Sequence, residues 1–157
     1  MVMTGRAHCN ISLQLCKKYG VKCSDRWYEH KPQTISLNES GDVTIYWDVL
    51  WKTPGDVRFN RPDVVVVDRK EKLWTIVEFS VPLDHNIVTK QLWKVEKYQK
   101  LAAQFRKMHR IQTKVIPVVV GALGTIPERL PGYLKDLGIP DVVGGLQKTV
   151  LLGRNEF

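Results

Sequence analysis

The chain has 157 residues, with 24 Lys and Arg against 16 Asp and Glu and a formal net charge of +8. That length suits one domain able to bury its own core, and 43% hydrophobic with 25% charged residues excludes wholesale disorder. No apolar run reaches the roughly 18 residues that a membrane span needs, and the charge points to a polyanion partner, nucleic acid before an anionic membrane. The three cysteines are too few and too odd for a disulfide framework. With no basic-then-apolar leader in the sequence, an intracellular protein in a reducing compartment is expected.

Residues 4–19 carry Ile11, Leu13, Leu15 and Cys16, then Lys17-Lys18 and Gly20. Basic residues in a last turn before glycine mark a helix C-terminus. Residues 20–42 are polar and broken by Pro32 and Gly41, and read as a connector. Inside it, Trp27-Tyr28-Glu29-His30 is an aromatic cluster that a plain linker does not need. Residues 43–51 are β-branched and aromatic and predict a strand. After a loop with Pro54-Gly55, residues 63–69 run through four valines. A continuous valine run predicts a strand covered on both faces, central in its sheet. Residues 73–81 predict a third strand, stopped by Pro82. Residues 88–110 show helical spacing, and 114–121 predict a fourth strand placed at or near an edge by Pro117. Residues 127–137 and 141–153 predict short helices. The order helix, three strands, helix, strand gives an α/β fold with a mixed four-stranded sheet flanked by helices. Residues 1–42 form the N-terminal helix and connector, 43–121 the core and 122–157 a helical tail, all in one domain.

Two carboxylates stand out by position. Asp63 follows Arg61-Pro62 at the start of the valine strand, and Pro62 biases Arg61 toward extended geometry. Glu78 lies fifteen residues later, in the third strand. Alternation puts it on one face with Trp74, Ile76 and Ser80. A carboxylate on a face that should be buried is costly unless it is paired or binds a metal. If the two strands are antiparallel neighbours, Asp63 and Glu78 approach one another, and a divalent cation resolves their repulsion. The plainer alternative makes Asp63 a strand-start residue and pairs Glu78 with a lysine.

Residues 88–110 hold Lys90, Lys94, Lys97, Lys100, Arg106, Lys107 and Arg110 against Glu96 alone, +6 of the net +8. On a wheel of about 100° per residue, Tyr98, Leu101, Phe105 and Met108 fall within roughly 40° of Lys94. Lys94 therefore faces the sheet, while Lys100, Arg106 and Lys107 face solvent. Three roles fit an inward Lys94: snorkelling, pairing with Glu78, or stabilising charge on a reacting phosphate. Lys90, Lys97, Lys100 and Arg106 are candidates for flanking phosphates.

Asn60-Arg61-Pro62-Asp63, with Glu78 fifteen positions on in an apolar strand, resembles the PD-(D/E)XK restriction-like nuclease superfamily. The element order looks like that superfamily's core. From Lys22 to Leu152 the chain resembles the C-terminal region of reverse-transcriptase polyproteins of invertebrate LINE-type retrotransposons. That likeness rests on 26–32 (RWYEHKP), Tyr46-Trp47-Asp48, Arg61-Pro62-Asp63, Val81-Pro82, Glu96-Lys97-Tyr98, 115–124 (VIPVVVGALG) and 146–149 (LQKT). The resemblance implies an endonuclease that nicks target DNA with Mg²⁺ or Mn²⁺ and supplies a 3′ end for reverse transcription. It implies metal on Asp63 and Glu78 and a catalytic lysine at Lys94, within Lys94-Val95-Glu96-Lys97-Tyr98. Lys97, Asp48 and Glu29 are possible additions, as is the loop acid Asp56. Implied partners are DNA, RNA or a reverse-transcriptase domain, and a second copy in a homodimer; no membrane is implied, and the place of action is the nucleus.

Two departures stand against the pattern. Ser80 occupies the position two after Glu78 where the superfamily has lysine. The zinc knuckle that often precedes such nucleases is absent: Cys9, Cys16 and Cys23, with His8, follow a spacing of seven rather than a paired Cys-x₂₋₄-Cys. Ser80 keeps open a catalytically degenerate nucleic-acid-binding module on the same fold. A protein-docking domain using Trp27, Trp47, Trp51, Trp74 and Trp93 is a third reading.

Overall fold

The structure, a computed structural model, describes residues 2–21, 35–55 and 57–155. Five α-helices and five strands lie along these residues: α1 (Val2–Tyr19), β1 (Ile35–Leu37), β2 (Val43–Trp47), β3 (Val64–Asp68), β4 (Leu73–Ser80), α2 (Ile87–Lys97), α3 (Gln99–His109), β5 (Gln112–Val119), α4 (Leu130–Asp136) and α5 (Val143–Asn155). The strands form a mixed five-stranded sheet in the order β1-β2-β3-β4-β5. β3 lies at its centre with all four valines buried, and β5, which holds Pro117, lies at an edge. Both positions match the expectation from the valine run and the proline.

The expected four strands become five because residues 35–37, read as connector, pair with β2. Ile35 lies opposite Tyr46 and Leu37 opposite Thr44. The Asn38 side chain closes this hairpin, accepting from the Val43 N–H at 3.1 Å. A three-residue edge strand with Ile35 and Leu37 exposed carries no alternation to read. The expected helix over 88–110 is also corrected: it is two helices, broken at Tyr98 (φ −104°, ψ 9°).

The chain divides into two compact units, Met1–Lys31 with Phe79–Leu92 and Val118–Phe157, and Pro32–Glu78 with Trp93–Pro117. In the second unit, Val65, Val67, Trp74, Ile76, Tyr98, Leu101, Ala102 and Phe105 form a buried cluster. The spacing of Tyr98, Leu101, Ala102 and Phe105 is one helical stripe laid on the sheet face of Trp74 and Ile76. Met108, placed in that stripe by the wheel, is instead exposed. His109 takes the place over Trp74, its ring stacked at 4.3 Å.

In the first unit, α1 packs against α5, with Ile11, Leu15, Leu146 and Val150 fully buried. Both α1 and α4 end in a left-handed glycine, Gly20 (φ 71°) and Gly138 (φ 76°). At α4 the Gly138 N–H donates to the Lys135 carbonyl and the Ile139 N–H to the Leu134 carbonyl, a Schellman end. A Cβ at Gly138 would also meet the Lys18 ammonium, which donates to the Leu137 carbonyl at 2.9 Å. Gly138→Ala is expected to lower stability by about 1–2 kcal/mol, the cost of forcing an L-residue into that region. Urea unfolding checks it: the midpoint should fall with the slope unchanged. Among the described residues, no helix is long and apolar enough to cross a membrane.

Candidate active site

The site is built within the second unit, on the ends of three neighbouring strands. β3 and β4 are antiparallel, with Val64 opposite Val77. One step further along that register, Asp63 faces Glu78. The Asp63 N–H donates to Glu78 Oε2 at 3.3 Å. β2 and β3 pair Trp47 with Val64, so Asp48 falls beside Asp63, and its N–H donates to the Asp63 carbonyl at 2.9 Å. Asp48, Asp63 and Glu78 therefore form a row across the sheet.

The members of this row differ in surroundings. Glu78 is 4% exposed, on the face that carries Trp74 and Ile76. Asp63 is half-buried. Asp48 is exposed in a left-handed turn (φ 53°) just past β2. Its carboxylate takes a two-pronged bond from Arg61, Nε to Oδ1 at 2.9 Å and Nη2 to Oδ2 at 3.1 Å. Both partners are more than half exposed, so this pair contributes little stability.

Above Glu78, α2 supplies a cation and Tyr98 a hydroxyl. Lys94 Nζ lies 3.5 Å from Glu78 Oε1, and the two side chains are 13% and 6% exposed. The wheel singled out Lys94 as the inward lysine, and it points at Glu78. Tyr98, buried four residues on, donates to the Arg61 carbonyl at 3.3 Å, and its hydroxyl lies near Glu78. In sequence Tyr98 belongs to the apolar stripe and to the Lys94–Tyr98 pattern without a role of its own; its i, i+4 relation to Lys94 is the signal that links the two.

Burial, then the Asp63 carboxylate, push Glu78 up from 4.5 to about 7, against the opposing pull of Lys94, the Asp63 N–H and Lys97. The Tyr98 hydroxyl is pushed up as well, first by burial and then by Glu78 and Asp63. A buried carboxylate beside a second one suits a hard divalent cation, which takes one or two carboxylates and fills its shell with water and phosphate oxygens. Among the described residues, no three His, Cys, Asp or Glu side chains are grouped to hold a metal ion.

The remaining candidates are spread out. Lys97 lies over the rings of Trp93, Phe59 and Tyr98, at 4.9, 5.1 and 5.1 Å. Lys90 is half-buried and Lys100 exposed. Arg106 donates to the Thr113 carbonyl at 2.6 Å, so part of its guanidinium ties α3 to β5. Ser80 ends β4, and its carbonyl accepts from the Val120 N–H at 3.1 Å. Glu29, Asp56 and Cys23 lie outside the described residues, as do Trp27 and His30. Cys16 is buried in α1. Trp47 and Trp74 are buried, and the Trp51 ring packs edge-on or tilted against Tyr46, Trp74 and Phe105. Those three tryptophans are spent on packing.

The chain matches no protein-family model and no curated protein. Among solved structures it is similar to the N-terminal domain of a reptarenavirus L protein, with 16% identity over 94% of this chain and 74% of that one, at a TM-score of 0.37.

Proposed function

We propose that the chain is a metal-dependent DNA endonuclease domain with a restriction-like core. The observation that carries this is the Asp63–Glu78 pair, side by side on antiparallel strands, with Lys94 Nζ 3.5 Å from Glu78. Asp63 and Glu78 would hold Mg²⁺ or Mn²⁺, which supplies Lewis-acid activation of water and of the scissile phosphate. Lys94 balances the buried carboxylate and offers its ammonium to the charge that grows on the phosphate oxygens. The Tyr98 hydroxyl lies near Glu78 as well. Overall, water adds its oxygen to phosphorus, the bond to the 3′ oxygen breaks, and the proton passes to that oxygen. A nick of this kind would leave a 3′ hydroxyl for reverse transcription, as target-primed retrotransposition requires. That role would place the protein in the nucleus beside RNA and a reverse-transcriptase domain, alone or as a homodimer.

The test is nicking of supercoiled plasmid with Mg²⁺ or Mn²⁺, beside Asp63→Asn, Glu78→Gln and Lys94→Met. Ser80, in place of the superfamily's lysine, favours a second reading, a nucleic-acid-binding module that no longer cuts. Metal-independent DNA binding with no nicking in any condition would select it.

Lys90, Lys97, Lys100 and part of Arg106 are assigned to flanking phosphates. With three or four such contacts, log K against log salt should have a slope of about −3 to −4. Affinity should then fall by roughly 10²-fold between 50 and 200 mM salt. Lys100→Ala should flatten the slope by about one unit. A salt-independent affinity would remove the phosphate assignment.

A further inference from the structure

Next to the acidic pair, the second unit carries a groove of about 350 Å³ lined by Arg58, Phe59, Trp93, Glu96, Lys97 and Lys100. Its size falls within the roughly 300–1,000 Å³ of ligand clefts. Trp93 is 43% exposed. Its ring stands 6.3 Å from that of Phe59 at 75°, so the two make a right-angled aromatic corner. Cations surround this corner. Lys97 Nζ lies near both rings, and the Arg58 guanidinium lies 5.3 Å from the Phe59 ring centre. Lys94 joins the groove to the acidic pair, 5.6 Å from the Trp93 ring and 3.5 Å from Glu78.

The occupant follows from this combination. Three cations against Glu96 disfavour an apolar or basic protein surface. A solvent-facing aromatic corner asks for a flat ring, and the cations ask for an anion beside it. A nucleotide offers both. In a duplex each base face is covered by its neighbours, so only an unpaired base can lie against Trp93. We propose that this groove binds an unpaired nucleotide of a DNA strand, the base stacked at the Trp93–Phe59 corner and its phosphate on Lys97, Lys100 and Arg58. This rests on the nucleic-acid part of the proposed function and deepens it: the preferred substrate has a locally unpaired strand beside the scissile phosphate.

The test is fluorescence anisotropy of a labelled short oligo(dT) and of a duplex of equal length, both in EDTA. Trp93→Leu is expected to weaken oligo(dT) binding about 5- to 150-fold, the effect of losing one base–aromatic stack. Duplex binding should change less than about twofold, since phosphate contacts carry it. Trp93→Phe, which keeps a π face, should recover most of the loss. An oligonucleotide of abasic sites should bind wild type as weakly as Trp93→Leu does, with no further loss in the variant. Unchanged oligo(dT) binding in Trp93→Leu, or an equal loss on both DNAs, overturns the inference. Because EDTA removes cleavage, absence of nicking would sink the nuclease reading without touching this one. Absence of binding to either DNA would sink both.

Discussion

On the proposed function, Asp63→Asn and Glu78→Gln are each expected to abolish metal-dependent nicking, lowering the rate by about 10³-fold or more, since a metal's charge stabilisation is worth several kcal/mol. Lys94→Met lowers it by about 10²–10³-fold, the loss of one charged stabiliser of the transition state. These substitutions keep side-chain volume, so the buried pair is altered without opening a cavity. All three variants should still bind DNA in EDTA with wild-type salt dependence. The Asp63→Asn, Glu78→Gln double variant should be no slower than either single variant, because the two carboxylates act as one site. Lys97→Met separates the two lysines. Its ammonium sits among the Phe59, Trp93 and Tyr98 rings rather than on Glu78, so it should lower affinity more than the rate of the bound complex. Nicking that survives in Asp63→Asn and Glu78→Gln, or a Lys97→Met defect larger than that of Lys94→Met, would remove this assignment.

The chemistry of the site was legible where one periodicity governs a segment. Four valines gave a central strand, and period two placed Glu78 with Trp74 and Ile76. Period 3.6 placed Lys94 with Tyr98, Leu101 and Phe105, all three of which are buried. The features that were not legible come from contacts between segments far apart in sequence. Nothing in Glu96-Lys97-Tyr98-Gln99 marks a helix break, because it contains neither Gly nor Pro. The break coincides with the bond from the Tyr98 hydroxyl to the Arg61 carbonyl. Asp48 falls inside the strand expected over 43–51, yet it is a left-handed residue just past β2, tied to Arg61. That pairing keeps its carboxylate on Arg61 while its backbone stays beside Asp63. The Trp93–Phe59 corner joins a helix to a loop more than thirty residues earlier, and no local pattern reports such a meeting. The basic run was plain from composition and the wheel set Lys94 apart, but the tasks of Lys97 and Arg106 were not legible. Lys94 serves Glu78, Lys97 serves the rings, and Arg106 serves the Thr113 carbonyl.

Without metal, the protein is expected to lose stability as pH rises through Glu78's titration. The folded-state value of Glu78, about 7, lies above its ordinary 4.5 because burial and Asp63 disfavour the charge. Between those values the folded chain binds more protons than the unfolded one, so stability falls with pH. The contribution is complete below 4.5 and gone above 7, and a shift of that size corresponds to about 3 kcal/mol. Urea unfolding of wild type and Glu78→Gln, measured in EDTA across this range, isolates it: the difference between the two proteins should tilt by about 3 kcal/mol. Lys94→Met removes the nearest cation that lowers the Glu78 value, so its loss of stability should continue to higher pH than in wild type. The same charge explains a metal response. On the proposed function Mn²⁺ would bind the ionised pair, so at alkaline pH a hundredfold excess over its dissociation constant should return about 2.7 kcal/mol. Glu78→Gln should forfeit most of that gain. A pH-independent difference between wild type and Glu78→Gln would mean that Glu78 stays ionised at low cost, held by Lys94 alone. Nothing would then call for a cation between the two carboxylates.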